Sequence, residues 1–132
     1  MTQDQSATPL GKVRGLGSAH DGGGHWLEER FTSASLLLLA LWFFFSLIML
    51  PDLSRGVVAE WLGSAWAAIP MALLVIAAFR HALDGLKVVV DDYVHDHGTR
   101  IGIHFILSMA AIAGASAALF ALAQIVFGTP AS

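Results

Sequence analysis

Long apolar runs alternate with short polar stretches along this chain. Phe31–Leu50 is twenty residues without a charge, begins just after Trp26 and Arg30, and ends at Pro51. That length crosses a hydrocarbon core about 30 Å thick, with an aromatic and a cation at the interface. Asp52–Glu60 reads as a short polar connection, after which Trp61 and Trp66 mark an interface and a long helix runs on toward Tyr93. Pro70 is placed to kink that helix. Asp91–Arg100 reads as a second connection, Ile101–Phe127 as a third span, and the tail beyond Gly128 and Pro130 is short. The pattern predicts an all-α membrane protein: a polar segment over residues 1–29, then a three-helix anchor domain over residues 30–128 with spans near 31–50, 64–91 and 101–127.

The second span departs from a plain membrane helix. RHALDGLKVVVDDYVH, Arg80–His95, carries ionisable groups into an apolar helix, where they are costly and usually functional. On a wheel at 100° per residue, Gly85, Val88 and Asp92 fall within about 40° of His81. Arg80, Asp84, Lys87 and Asp91 share a second stripe roughly 60–120° to one side, where Arg80–Asp84 and Lys87–Asp91 are opposite charges at i,i+4. Phe79, Ala82, Leu83, Leu86, Val89 and Val90 take the remaining half. Lipid is not what the polar half faces. If the helix leaves the hydrocarbon near Asp91, His81 lies about 15 Å in, near the bilayer midplane.

Composition agrees with this. Of 132 residues 56% are hydrophobic and 13% charged, with a mean hydropathy of +0.69, too apolar for a soluble domain of this size. The net charge of -3 forms no basic patch, which argues against nucleic acid. There is no cysteine, so a redox centre held by this chain would need histidine. Residues Met1–Glu29 are glycine-rich and lack the apolar core of a secretory leader. Their acidic residues argue against a mitochondrial presequence and favour a bacterial protein; an irregular surface path is expected for them. Lys12, Arg14 and Arg30 lie on the amino-terminal side, Lys87 and Arg100 flank the second connection, and only Arg55 falls opposite. The positive-inside bias therefore puts the amino terminus and the second connection in the cytoplasm and the carboxyl terminus in the periplasm.

Taken alone, His81 fits a hydrogen-bonded packing residue between helices as well as a ligand, Tyr93 fits an interface-belt tyrosine, Asp92 fits a solvated helix end, and Arg30 fits a positive-inside anchor. His20, His25, His95, His97 and His104 are expected at aqueous or interfacial positions. A small proton- or metal-coupled carrier using the charged stripe would require oligomerisation to enclose a path. A soluble enzyme lacks support, since no nucleophile–base pair or phosphate-binding loop is present.

The segment HALDGLKVVVDDYVH resembles the His-x-x-x-Gly…Asp-Tyr signature of the small cytochrome b membrane-anchor subunit of succinate dehydrogenase, respiratory complex II. TPLGKVRGLGSAHDGGGHWLEERFT, Thr8–Thr32, is similar to the amino-terminal segment of alphaproteobacterial anchors. The resemblance covers nearly the whole chain. It implies half of a heterodimeric helical bundle in the bacterial inner membrane, with His81 as one axial ligand of a haem b whose other ligand comes from a second three-helix cytochrome b anchor. Tyr93 would hydrogen-bond a ubiquinone carbonyl, Asp92 would influence its proton supply, and Arg30 would stand near the haem propionates and the quinone pocket. A flavoprotein and an iron–sulfur subunit would be tethered, and the chain alone would catalyse nothing. Arg80, Asp84 and Lys87 depart from the family pattern, in which apolar or neutral residues are commoner. A haem-free anchor and a fumarate reductase anchor belong to the same resemblance.

Overall fold

A computed structural model describes residues 22–128, with side chains from 27 onward except at 28 and 29. Among these residues the fold is entirely helical: α1 Gly22–Met49, α2 Arg55–Gly63, α3 Ala65–Tyr93 and α4 His97–Phe127. Arg30–Met49 of α1, the whole of α3 and the whole of α4 are each long and apolar enough to cross a membrane. The all-α, three-span reading stands. α1 begins eight residues before Arg30, so Gly22–Glu29 is helical where the glycine-rich composition suggested an irregular path. The rest of the amino-terminal segment lies outside the described residues.

Both connections differ from the expectation. Within Asp52–Glu60 the chain forms α2. Its turn-like start is real, because the Asp52 carboxylate accepts the Ser54 N–H at 2.7 Å. Beyond it, Val57, Val58, Trp61 and Leu62 are half-buried while Gly56, Glu60 and Gly63 are exposed, the one-sided pattern of a short amphipathic helix. Trp61 stacks on Trp42 of α1 with ring centroids 5.9 Å apart, and this holds α2 against the end of the first span. Ser64 then turns the chain from α2 into α3. Its hydroxyl donates to the Trp61 carbonyl at 2.7 Å and accepts the Ala67 N–H at 3.3 Å, so one residue satisfies groups of both helices.

The second connection shrinks to Val94–Asp96. α3 runs through Asp91 to Tyr93, and the Asp96 carboxylate caps α4 by accepting the Thr99 N–H at 2.8 Å. That bond holds the Asp96 carboxyl below the usual carboxylate range, as the Ser54 bonds do for Asp52. The clustered charges of this stretch read as loop, but a helix end at an interface satisfies its backbone and leaves such side chains in water. Pro70 sits inside α3, which continues through it.

α3 is central: α1 and α4 pack on it, α1 makes no contact with α4, and α2 lies across α3 and α4 at the end away from Tyr93. Among the described residues only Ala67 and Leu122 are buried. Gly114 of α4 sets the closest helix approach, since a Cβ there would lie 2.5 Å from Cε1 of Phe79 on α3. Small residues at crossing points are how membrane helices pack without a hydrophobic driving force.

Candidate functional site

The helix of α3 carries His81, Gly85, Val88 and Asp92 along one line, and all four are exposed. Neither α1 nor α4 covers this stripe. A Cβ placed on Gly85 would meet nothing within 4 Å, so the backbone one turn beyond His81 lies open to a planar group. Tyr93, the last residue of α3, is 80% exposed. Twelve helical residues separate it from His81, roughly 18 Å along the axis. The stripe thus joins a site one-third to one-half of the way back along α3 to one at its end.

Arg30 is exposed on α1. The groove between α1 and α3 runs from Leu39 and Leu73 to Thr32 and Arg80. The two helices are antiparallel, so Arg30 is carried to about the level of His81 along the bundle. It is engaged within its own chain.

The neighbouring charged stripe is handled by the chain itself, in part differently from the i,i+4 reading. Arg80 Nε meets Asp84 Oδ2 at 2.8 Å as the spacing predicts. Lys87 and Asp91 do not pair. Asp91 turns to α4, where its Oδ1 lies 3.3 Å from His104 Nε2 and 3.7 Å from Arg100 Nε. A cation and an imidazole on the facing helix outcompete a flexible lysine one turn back, whose restraint would cost side-chain entropy. Among the described residues Lys87 makes no ion pair.

His104 stands near the start of α4, beside the exposed end of α3, and adds a feature that the sequence does not show. It was expected at an aqueous or interfacial position, and its Nε2 is buried, with no hydrogen-bond partner among the described residues. The approach to Asp91 is therefore an electrostatic contact without hydrogen-bond alignment. Arg100 and His104 share a face by their i,i+4 spacing, which is legible, but nothing in the sequence says that Asp91 turns toward that face. His95 and His97 are exposed as expected, and Arg100 Nη2 lies 3.2 Å from His97 Nδ1. His20 and the side chain of His25 lie outside the described residues.

The residues present fit a haem: a histidine on an open face with a sterically free glycine one turn away, and an imidazole nitrogen is a suitable donor to iron. They also fit a quinone near Tyr93, whose phenol is exposed and accessible as a hydrogen-bond donor.

Comparison with known proteins bears on the same residues. Residues 4–123 match the family described as the succinate dehydrogenase/fumarate reductase transmembrane subunit. The chain is 31% identical to a succinate dehydrogenase hydrophobic membrane anchor subunit of Paracoccus denitrificans over 123 residues, covering 92% of this chain and 93% of that one. It is 32% identical to the protein of the same name from Rickettsia bellii over 94 residues, 71% of this chain and 74% of the relative. A Rickettsia conorii protein of that name is 27% identical over 102 residues, 76% and 81% of the two chains. On its match over 120 of 132 residues and its three membrane-length helices, this chain belongs to the succinate dehydrogenase/fumarate reductase transmembrane subunit family, as a membrane anchor of the succinate dehydrogenase kind.

Proposed function

We propose that the chain is one half of the anchor of a succinate:quinone oxidoreductase in a bacterial inner membrane, pairing with a second three-helix cytochrome b subunit and tethering an iron–sulfur and a flavoprotein subunit. The observation that carries this reading is the open stripe of α3. His81, Gly85, Val88 and Asp92 are all exposed while Asp84 and Asp91 beside them are engaged by their own chain. A helix that leaves a histidine and a carboxylate uncovered in a membrane needs something polar or metallic against them.

In this reading His81 would hold a b-type haem through its imidazole, together with a ligand from the partner anchor. When bound, the haem supplies a one-electron centre near the quinone. Gly85 leaves the macrocycle free to lie against the helix backbone, and Arg30 offers a guanidinium to its propionates. At the end of α3 the Tyr93 hydroxyl donates a hydrogen bond to a ubiquinone carbonyl. That bond strengthens as negative charge develops on the oxygen during reduction. Asp92, exposed at the helix end, holds protons at the water boundary. Ubiquinone takes up two electrons from the iron–sulfur subunit and two protons from this side to give ubiquinol. The excess of Lys12, Arg14, Arg30 and Arg100 over Arg55 supports a cytoplasmic amino terminus and Val94–Asp96 turn and a periplasmic carboxyl terminus.

The test is Tyr93→Phe in the assembled complex, with succinate-driven ubiquinone reduction measured at matched enzyme content. Loss of one transition-state hydrogen bond should lower turnover about tenfold while the subunits still co-purify. Unchanged turnover would refute the quinone assignment.

A further inference from the structure

The buried nitrogen of His104 is the one strongly polar group of the described core that the proposed haem and quinone sites leave unused. Its Nε2 has no solvent access and a single polar neighbour, Asp91 Oδ1 at 3.3 Å. An imidazole nitrogen presenting a lone pair would repel a carboxylate oxygen at that distance, whereas one carrying a proton is attracted to it, so Nε2–H is the tautomer that suits this neighbour. Asp91 also approaches Arg100 Nε at 3.7 Å. The carboxylate of α3 is thereby drawn to two groups on α4, one turn apart.

The location of this tie gives it a consequence. Asp91 directly precedes Asp92 and Tyr93, and α3 ends at Tyr93. Beyond Asp91 the helix end is fixed by its backbone, including the Val94 N–H to Val90 carbonyl bond of 2.8 Å. The Tyr93 side chain makes no hydrogen bond among the described residues and is 80% exposed. Terminal helical turns fray unless something holds them. Here the hold comes from the side chain one residue before the proposed quinone pair.

We propose that His104, acting through Asp91, is a positioning residue for the quinone site: it fixes the last turn of α3 on α4 so that Tyr93 meets the quinone carbonyl at a constant place. The inference rests on the reading that Tyr93 and Asp92 face quinone, and it adds a residue from the third span to that site. His104 touches no substrate; its effect passes through the helix end.

The assembled complex tests it, with steady-state ubiquinone reduction measured for His104→Leu, Asp91→Asn, the double variant and His104→Gln, and Tyr93→Phe alongside. His104→Leu should raise the quinone KM about tenfold, the scale of one lost polar contact, with kcat changed less than about twofold. Asp91→Asn, isosteric and half-exposed, weakens the contacts to both His104 and Arg100 and should do at least as much, and the double variant should be no worse than Asp91→Asn alone, because the His104 contact is already lost there. His104→Gln, which keeps an N–H to aim at Asp91, should recover most of the loss. A wild-type KM in His104→Leu, or in Asp91→Asn should the leucine variant fail to assemble, overturns the proposal, as do fully additive effects. If Tyr93→Phe is impaired while those variants are normal, this inference alone fails; if Tyr93→Phe is normal, the quinone reading fails and takes the inference with it.

Discussion

The two halves of α3 share one helix and one membrane yet expose different things. From Ala65 to Phe79 the residues most open are Trp66, Ile69, Leu73 and Ile76, all apolar and on one narrow stripe. From Arg80 to Tyr93 most of the helix is open, Leu86 and Val89 included, and the exposed line of His81, Gly85, Val88 and Asp92 lies roughly 110° around from the first stripe, at 100° per residue. The first half offers to its surroundings only what lipid accepts, and its other faces are occupied by α1, α2 and α4. The second offers an imidazole, a bare backbone and a carboxylate that lipid does not accept. The difference teaches that one element divides its exposed surface by chemistry: the first half shows apolar side chains outward, while the second, still tied to α4 through Asp91, also shows groups suited to partners this chain does not itself contain.

A pair of identical substitutions breaks or confirms that division. Gly114→Val would drive methyl groups into the Phe79 ring at the packed junction, where even a Cβ lies 2.5 Å from Cε1. It should destabilise the anchor by about 1–3 kcal/mol, read as a lower thermal midpoint of the purified complex. Gly85→Val meets open space in the chain itself, so the helix should form as before while haem content falls. Equal thermal losses from the two variants would contradict the division. A smaller effect lies at the turn between α3 and α4. The Asp96 carboxyl is held below its ordinary value because it accepts the Thr99 N–H. A carboxylate with a lowered folded pKa stabilises above the unfolded value and loses that contribution as the pH falls below about 4. The protection of the Thr99 amide, measured against its intrinsic exchange rate at each pH, should therefore fall in acid in the wild type. Asp96→Asn should keep the cap and lose the acid dependence, and Asp96→Ala should exchange fast at every pH.

How much of this was legible depends on the range of the forces involved. The three spans were, because long apolar runs answer to the membrane alone. The open stripe was also drawn correctly from the wheel, since 100° per residue fixes which side chains share a line once a helix exists. α2 was missed although Val57, Val58, Trp61 and Leu62 carry helical spacing, because Asp52, Ser54, Arg55 and Gly56 before them read as turn. The pairing of Asp91 failed for another reason. Local spacing offered Lys87 as its partner, and the choice of Arg100 and His104 was made by the packing of α4 on α3, which no local pattern encodes. For the same reason the burial of the His104 nitrogen could not be read from its place near the start of an apolar run.

The central claim, that the open stripe of α3 receives a haem on His81, is tested most directly by a reduced-minus-oxidised optical spectrum of the gently solubilised complex, wild type beside His81→Ala. The account predicts a b-type haem signal in the wild type that is lost or strongly diminished in the variant, with flavoprotein and iron–sulfur subunits co-purifying in both. A wild-type complex without that signal, or an undiminished signal in His81→Ala, would contradict it.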